Sequence, residues 1–313
     1  MKAIRIRETG GPDVLLQEEI NLPPATANQI SLRIEIAGVN FIDVYHRRGQ
    51  YPLALPSGIG IEGIGISQTG ERYFWLSAIG SYAQEINIDE NSLTRLPESE
   101  LTASELLPLL CQGMTAHYLV DSAFSVQTGD VALVTAAAGG VGLLLIQLLK
   151  SRGALVIACT SSNDRAALAR EHGADFVGTY DQMSELVARV TGGSGVNVVY
   201  DSVGKDFFDN CLEALAPGGM YVLYGGASGP VPPFDLMRLN SRSLAIRRPT
   251  LATYTATSAE RIRRLNELLE LRKRGALRYP NTKIFPLAEA PSAHKLIESR
   301  SYTGKIGIDP WKI

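Results

Sequence analysis

The sequence predicts an α/β protein: a β-rich domain joined to a doubly wound parallel sheet of the Rossmann type. A glycine-rich turn links an apolar strand to a helix between residues 131 and 150. From residue 113 onward, short apolar runs alternate with helix-like stretches. Before residue 113, short alternating stretches are broken by Gly and Pro. Buried apolar strands separated by helices imply a parallel sheet covered on both faces. Such a sheet places its ligand beyond the strand C-termini.

In the first half, residues 30–36 (Ile-Ser-Leu-Arg-Ile-Glu-Ile) alternate cleanly and predict a half-buried strand. Pro23, Pro24, Pro52, Pro56 and the glycines at 58, 60, 63 and 65 punctuate the rest. In the second half, strands are expected at 131–135, 154–158, from 175–177, at 196–200, 220–224 and 243–246. Helices are expected at 141–151, 163–172, 182–191, 205–215 and 235–240. Six strands is the count of a dinucleotide-binding fold. A charged helix follows at 258–274, whose interleaved Arg, Lys, Glu and Leu read as a solvated face. Two short strands near 283–287 and 304–308 end the chain and are expected to return to the first domain. The expected division is therefore 1–112 with 252–313, against 113–251.

Composition narrows the classes. The 313 residues suit one large or two medium domains. Hydrophobic residues make up 45% and charged residues 20%, which fits a folded globular chain. A net charge of −2 leaves no nucleic-acid footprint. No apolar run is long enough to span a bilayer, and the alternating N-terminus lacks a signal-peptide core. Cys111, Cys159 and Cys211 are odd in number and widely spaced, so a reducing cytoplasmic setting is expected.

The turn at 131–142 reads Val-Ala-Leu-Val-Thr-Ala-Ala-Ala-Gly-Gly-Val-Gly. It keeps the last two glycines of G-x-G-x-x-G as Gly139 and Gly142, with Ala137 in the first place. Gly139 lets backbone approach a pyrophosphate, and Gly142 lets the helix pack on the strand. Free N–H groups and the helix dipole favour the phosphates. Packing alone also calls for glycine at many strand–helix joints.

An NAD site wants an acid at the end of the second strand to bind the ribose 2′-hydroxyl. Here the strand ends Ala-Cys-Thr-Ser-Ser at 158–162, and Arg165 follows in the next helix. Hydroxyls with a guanidinium suit a 2′-phosphate, so NADPH is the expected cofactor. In the alternative, Ser162 or Asn163 only caps the helix and Arg165 is a surface residue.

Several motifs occur in order: Ala-Gly-Val-Asn-Phe-Ile-Asp at 37–43, Tyr51-Pro52, Leu-Pro-Ser-Gly at 55–58 and Gly-Met-Thr-Ala at 113–116. The glycine turn, Val-Tyr-Asp-Ser-Val-Gly at 199–204, Arg248-Pro249 and Glu-Ser-Arg at 298–300 complete the set. Over nearly its whole length the chain resembles the zinc-independent quinone oxidoreductases (zeta-crystallin-like) of the medium-chain dehydrogenase/reductase superfamily. The resemblance implies a GroES-like β domain, a Rossmann domain and a returning C-terminal segment. It implies NADPH-dependent reduction of quinones or related conjugated carbonyls, in a homodimer built through the Rossmann domains.

Carried over by position, Gly140, Val141 and Gly142 hold the pyrophosphate. Ser161, Arg165 and Tyr180 surround the 2′-phosphate and adenosine. Ser202 and the stretch Tyr224, Gly225, Gly226 and Ala227 line the cofactor groove. Pro249, Thr250 and Leu251 run beside the nicotinamide, with Thr115 near it, and Arg300 reaches the cofactor from the tail. Asn40, Tyr45 and Tyr51 line the pocket beside the ring and are the candidate catalytic donors, and Asn40 also contacts the cofactor. A tyrosine with its ordinary pKa near ~10 can donate a hydrogen bond at neutral pH. Blander roles stand beside these: packing for the two tyrosines, a turn cap for Asn40, a surface ion pair for Arg300 and a helix cap for Asp201.

Zinc-dependent relatives use a Cys after Gly-Val and a His before Glu. Here those positions are Asn40 and Ile61, neither a useful zinc ligand, so no metal is expected. The chain departs from its relatives at residues 66–75, where roughly a dozen residues of strand and loop are missing. Gly226 also replaces a polar residue common there. These departures bear on substrate range. The rival expectations are an enone or enoyl-thioester reductase on the same fold, and a non-catalytic NADPH-binding protein.

Overall fold

The structure is a computed structural model, and it describes residues 1–312. The chain divides into two compact units: Met1–Cys111 with Thr255–Asn266 and Pro280–Ile313, and Gln112–Tyr254 with Glu267–Tyr279. The sequence reading gives all of 252–313 to the first domain. By contacts, residues 267–279 belong instead to the second, where Gln147 in the first helix of the parallel sheet ties them down. Its Nε2 donates to the Arg278 carbonyl and its Oε1 accepts from the Arg278 N–H, both at 2.8 Å.

In the second unit, six strands run β1 (Val131–Val134), β2 (Leu155–Thr160), β3 (Phe176–Thr179), β4 (Val196–Asp201), β5 (Leu215–Leu223) and β6 (Ala245–Arg247). Their order is β3-β2-β1-β4-β5-β6, and every pair is parallel. The direction reverses beside β1, so the C-terminal ends of β1 and β4 flank the switch point where such folds bind dinucleotides. Leu133, Ile157, Val199 and Tyr221 are fully buried in the sheet's core. The helix after β1, α1 (Gly140–Ser151), buries Leu143–Leu149 against it, which is why this helix is apolar nearly all round. The helix expected at 235–240 is a 3-10 turn, Leu236–Arg242.

In the first unit the long strand Gln29–Val39 is the organiser. It pairs antiparallel with Glu62–Ser67, Glu85–Asp89 and the tail strand Ile306–Asp309. The tail therefore returns to the first domain's sheet. Gly38 sits opposite both Glu62 and Gly307, and Val39 sits opposite Ile306. That register brings residues 40, 62 and 305 together, although they are remote in sequence. Residues 68–71 form a short turn between the antiparallel strands Glu62–Ser67 and Arg72–Trp75.

Candidate active site

The glycine turn leaves backbone donors free at a helix start. Gly139 is the N-cap of α1 and no side chain caps it. Among the described residues, the N–H groups of Gly140, Val141 and Gly142 donate to no protein acceptor. These are the unsatisfied donors of a helix start, with the positive end of the dipole behind them. A Cβ on Gly142 would lie 2.5 Å from the Ala137 carbonyl and 2.6 Å from that of Ala136, so only glycine fits there. Ala136 holds φ +45°, an uncommon value for a residue with a side chain. Its N–H donates to the Tyr180 hydroxyl at 3.0 Å. Tyr180 stacks on Phe207, with ring centroids 4.1 Å apart, so its position is fixed from two sides.

Beyond β2 lie Ser161, Ser162 and Arg165, with no carboxylate at the strand end. Ser162 is the N-cap of the helix Asn163–Glu171 and accepts from the Arg165 N–H at 3.4 Å. The capping role is therefore real, and it leaves the half-buried Arg165 guanidinium without a protein partner among the described residues. Ser202 follows β4 and Tyr224–Gly226 follow β5. The Gly225 position comes so close to Ser202 that a Cβ would sit 2.6 Å from its carbonyl oxygen. The Tyr224 pKa is raised by burial, so its hydroxyl stays protonated. Thr115 lies in the helix Cys111–Tyr118, and Leu251 opens the short helix Leu251–Tyr254.

Asp201 is a structural residue. It is fully buried and accepts from Thr135 Oγ1, the Val203 and Gly204 N–H groups, and the Tyr221 hydroxyl at 2.6 Å. It thus holds the β4 turn that presents Ser202.

In the first unit, Asn40 is the N-cap of the helix Phe41–Arg47. Its side chain does further work. Asn40 Nδ2 donates to Glu62 Oε2 at 2.8 Å, and Lys305 Nζ donates to Asn40 Oδ1 at 2.8 Å. Lys305 and Glu62 form an ion pair with both side chains fully buried. Glu62 Oε1 accepts from the Cys111 N–H at 2.7 Å. Gly38 makes room: a Cβ there would fall 1.9 Å from Glu62 Oε2 and 3.0 Å from Lys305 Nζ.

A second buried chain of groups adjoins this one. Asp43 Oδ2 accepts from the Asn40 N–H at 2.8 Å and from the Tyr82 hydroxyl at 2.9 Å. Arg47 Nη1 lies 3.1 Å from His294 Nδ1. A guanidinium only donates, so Nδ1 is the acceptor and Nε2 carries the proton, which it offers to Tyr82 Oη at 3.2 Å. Burial, with Arg47 adding to it, lowers the His294 pKa to about 3. Burial raises the Asp43 pKa to about 7, against the hydrogen bonds from Asn40 and Tyr82. Asp43 Oδ1 is buried with no partner and is the oxygen left to take the proton.

Tyr45 and Tyr51 meet edge to face at 5.6 Å, and Phe41 meets Tyr45 at 5.5 Å. Tyr45 is half-buried and Tyr51 is 43% exposed. Beside them burial lowers the His46 pKa, and its Nδ1 is buried without a partner among the described residues. Arg300 is exposed and ends the helix Ala290–Ser299 in the left-handed region at φ +55°.

The structure thus gathers Gly139–Gly142, Tyr180, Ser161, Arg165, Ser202 and Tyr224–Gly226 at one edge of the second unit. It gathers Asn40, Tyr45 and Tyr51 on one helix and its following turn in the first unit, where Arg300 also lies. Sequence reasoning missed Glu62, Lys305, Asp43, Tyr82 and His294. A signal existed for two of them: Glu62 is a charge within the otherwise apolar stretch 59–66, and Lys305 stands just before the strand Ile306–Asp309. The zinc positions hold Asn40 and Ile61, and the Lys305 ammonium is bonded to Asn40 and Glu62 there, so these residues do not fit a zinc ion. One other group of metal-type donors, His117, Asp121 and Glu267, lies in the second unit. His117 is bonded to Glu267 at 2.7 Å and Asp121 to Arg152 at 3.2 Å.

Comparison with known proteins agrees with this architecture. A family model described as zinc-binding dehydrogenase matches residues 140–270. Quinone oxidoreductase of Pseudomonas aeruginosa is 36% identical, over 99% of this chain and 99% of its own. The 2-haloacrylate reductase of a Burkholderia species is 36% identical over 97% of this chain and 98% of its own. The solved structure of Escherichia coli quinone oxidoreductase complexed with NADPH superposes with a TM-score of 0.94 at 33% identity, covering 99% of this chain and 100% of that one. Similarity of this extent shows that the chain belongs to the quinone oxidoreductase family of the medium-chain dehydrogenase/reductase superfamily.

Proposed function

We propose that this protein is an NADPH-dependent, zinc-independent oxidoreductase that reduces quinones or related conjugated carbonyls. The observation that carries the cofactor is the pairing of a helix start with three unsatisfied N–H groups and, beyond β2, an unpaired Arg165 without an acid. The E. coli relative complexed with NADPH supports the same cofactor. When bound, the nicotinamide supplies the hydride.

The chain's own residues bind and orient. Gly140, Val141 and Gly142 hold the pyrophosphate, and Ser161, Arg165 and Tyr180 hold the 2′-phosphate and adenosine. Ser202, Tyr224, Gly225, Gly226, Thr115, Leu251 and Arg300 complete the cofactor contacts. Asn40, Tyr45 and Tyr51 serve the acceptor: the aromatic edges suit a flat conjugated molecule, and the amide and hydroxyls offer donors to its oxygen.

Zinc independence is supported by Lys305, whose ammonium is hydrogen-bonded to Asn40 and ion-paired with Glu62. Homodimerisation through the second unit is supported by Leu236 and Met237, which are 70% and 68% exposed in the segment leading to the edge strand β6. Three free cysteines support a reducing, cytoplasmic setting. No helix among the described residues is long and apolar enough to cross a membrane.

The 2-haloacrylate reductase relative favours a second reading, reduction of an activated carbon–carbon double bond. Steady-state NADPH oxidation with para-benzoquinone, phenanthrenequinone and a small enone, with NADH as control, separates these readings. Quinone turnover that prefers NADPH supports the proposal, and turnover of the enone alone supports the second reading. Tight NADPH binding without turnover of any acceptor points to a non-catalytic binding protein.

A further inference from the structure

The Asn40 amide lies between two buried charges of opposite sign. Lys305 has only donors, so the Asn40 atom facing it is the oxygen. The Glu62 carboxylate, ion-paired to Lys305, only accepts, so the atom facing it is the nitrogen. Side-chain amides usually leave their orientation to be inferred, but here chemistry sets both ends. One Nδ2 hydrogen serves Glu62. No residue among those described accepts the other, although Asn40 is only 7% exposed.

We propose that Lys305 and Glu62 are positioning residues for acceptor reduction: they lock the Asn40 amide so that it presents an N–H, and never its carbonyl, to the acceptor oxygen. This deepens the reading of Asn40 given above and rests on it. An unlocked amide samples the flipped state, whose oxygen repels the charge that develops on the acceptor. The ammonium on Oδ1 also polarises the amide and strengthens its N–H as a donor. The electron pair arrives with the hydride on an acceptor atom, and the negative charge settles on the acceptor oxygen. Asn40 keeps its proton, and the oxygen takes one from water. A preorganised donor of this kind contributes on the order of 100-fold to kcat. The lock also explains Gly38, where any side chain would strike Glu62.

The test is a coupling experiment on the full-length protein with NADPH and para-benzoquinone. The double variant Glu62→Gln/Lys305→Met removes both charges together, which leaves no unpaired ion behind. The expected result is a fall in kcat of about 100-fold, with KM and the NADPH dissociation constant nearly unchanged. Asn40→Ala then costs about 100-fold in the parent chain and almost nothing in the double variant, because the lock and the amide act as one unit. An equal cost in both backgrounds, or an undiminished kcat in the double variant, overturns the proposal.

If the double variant fails to fold, Asn40→Asp/Glu62→Gln carries the test. It keeps one carboxylate beside Lys305 but leaves residue 40 with acceptors only. Loss of about 100-fold in kcat with intact NADPH binding supports the lock, and full activity overturns it. Turnover by the parent chain with no effect of any variant defeats this proposal alone. A parent chain that turns over no acceptor defeats the functional reading along with it.

Discussion

The two units build their polar sites by opposite means. The second uses backbone: a glycine turn, a helix start and N–H groups within four residues of each other. The first uses buried side-chain charge joined across the chain, with Asn40, Glu62 and Lys305 separated by up to 265 residues. Backbone donors need no compensating partner of their own. Buried charges do, since removing one leaves the other uncompensated. The proposed cofactor site should therefore fail by steric blockage, and the Asn40–Glu62–Lys305 cluster by electrostatic imbalance.

The largest effect should come from breaking that balance. Lys305→Met alone leaves Glu62 buried and unpaired and is expected to cost about 3–5 kcal/mol of stability. Urea unfolding checks this, and Glu62→Gln/Lys305→Met should recover most of the loss. If the single and double variants are equally unstable, the cluster is not electrostatically coupled.

Gly142→Val tests the steric side. Its side chain meets two backbone carbonyls, so we expect a loss on the order of 3 kcal/mol and no measurable NADPH binding by fluorescence titration. Retained binding would show that the turn can move.

Arg165→Ala should be milder and selective. Loss of one charge-assisted contact is worth about 2 kcal/mol, or roughly 30-fold in NADPH affinity, with NADH affinity unchanged. Equal weakening of both cofactors would remove Arg165 from the 2′-phosphate site.

The last effect concerns pH. Folded Asp43 titrates near 7, above its ordinary 3.8, so between these values the folded chain holds a proton that the unfolded chain lacks, and stability falls as pH rises. Folded His294 titrates near 3, below its ordinary 6.5, so in that window the unfolded chain holds the extra proton and stability rises with pH. The two slopes oppose each other where the windows overlap. Asp43→Asn should unmask the rise and His294→Gln the fall, each by up to about 1.4 kcal/mol per pH unit. Slopes of the same sign in both variants would contradict the assignments.

This contrast also decides what could be read in advance. The six-strand sheet was legible because each apolar run and each helix is local, and the glycine turn is contiguous. Ser161 and Ser202 directly follow the strand ends where the sequence reading put them, and Arg165 lies in the next helix. The Lys305–Asn40–Glu62 cluster was not legible, because it depends on the register of Ile306–Asp309 against Gln29–Val39. His294 and Tyr82 meet across 212 residues, and no local pattern announces that contact. The assignment of residues 267–279 failed for the same reason, since one helix, Ser258–Lys273, is divided between the units.

The most direct measurement of the central claim is deuterium transfer from NADPH dideuterated at C4 to a conjugated enone acceptor, followed by mass spectrometry and NMR of the product. One deuterium is expected on the carbon β to the carbonyl, with a proton from water on the α carbon, and label transfer is lost in Gly142→Val. NADPH consumption without deuterium in the product, or no consumption with any quinone or enone, would contradict it.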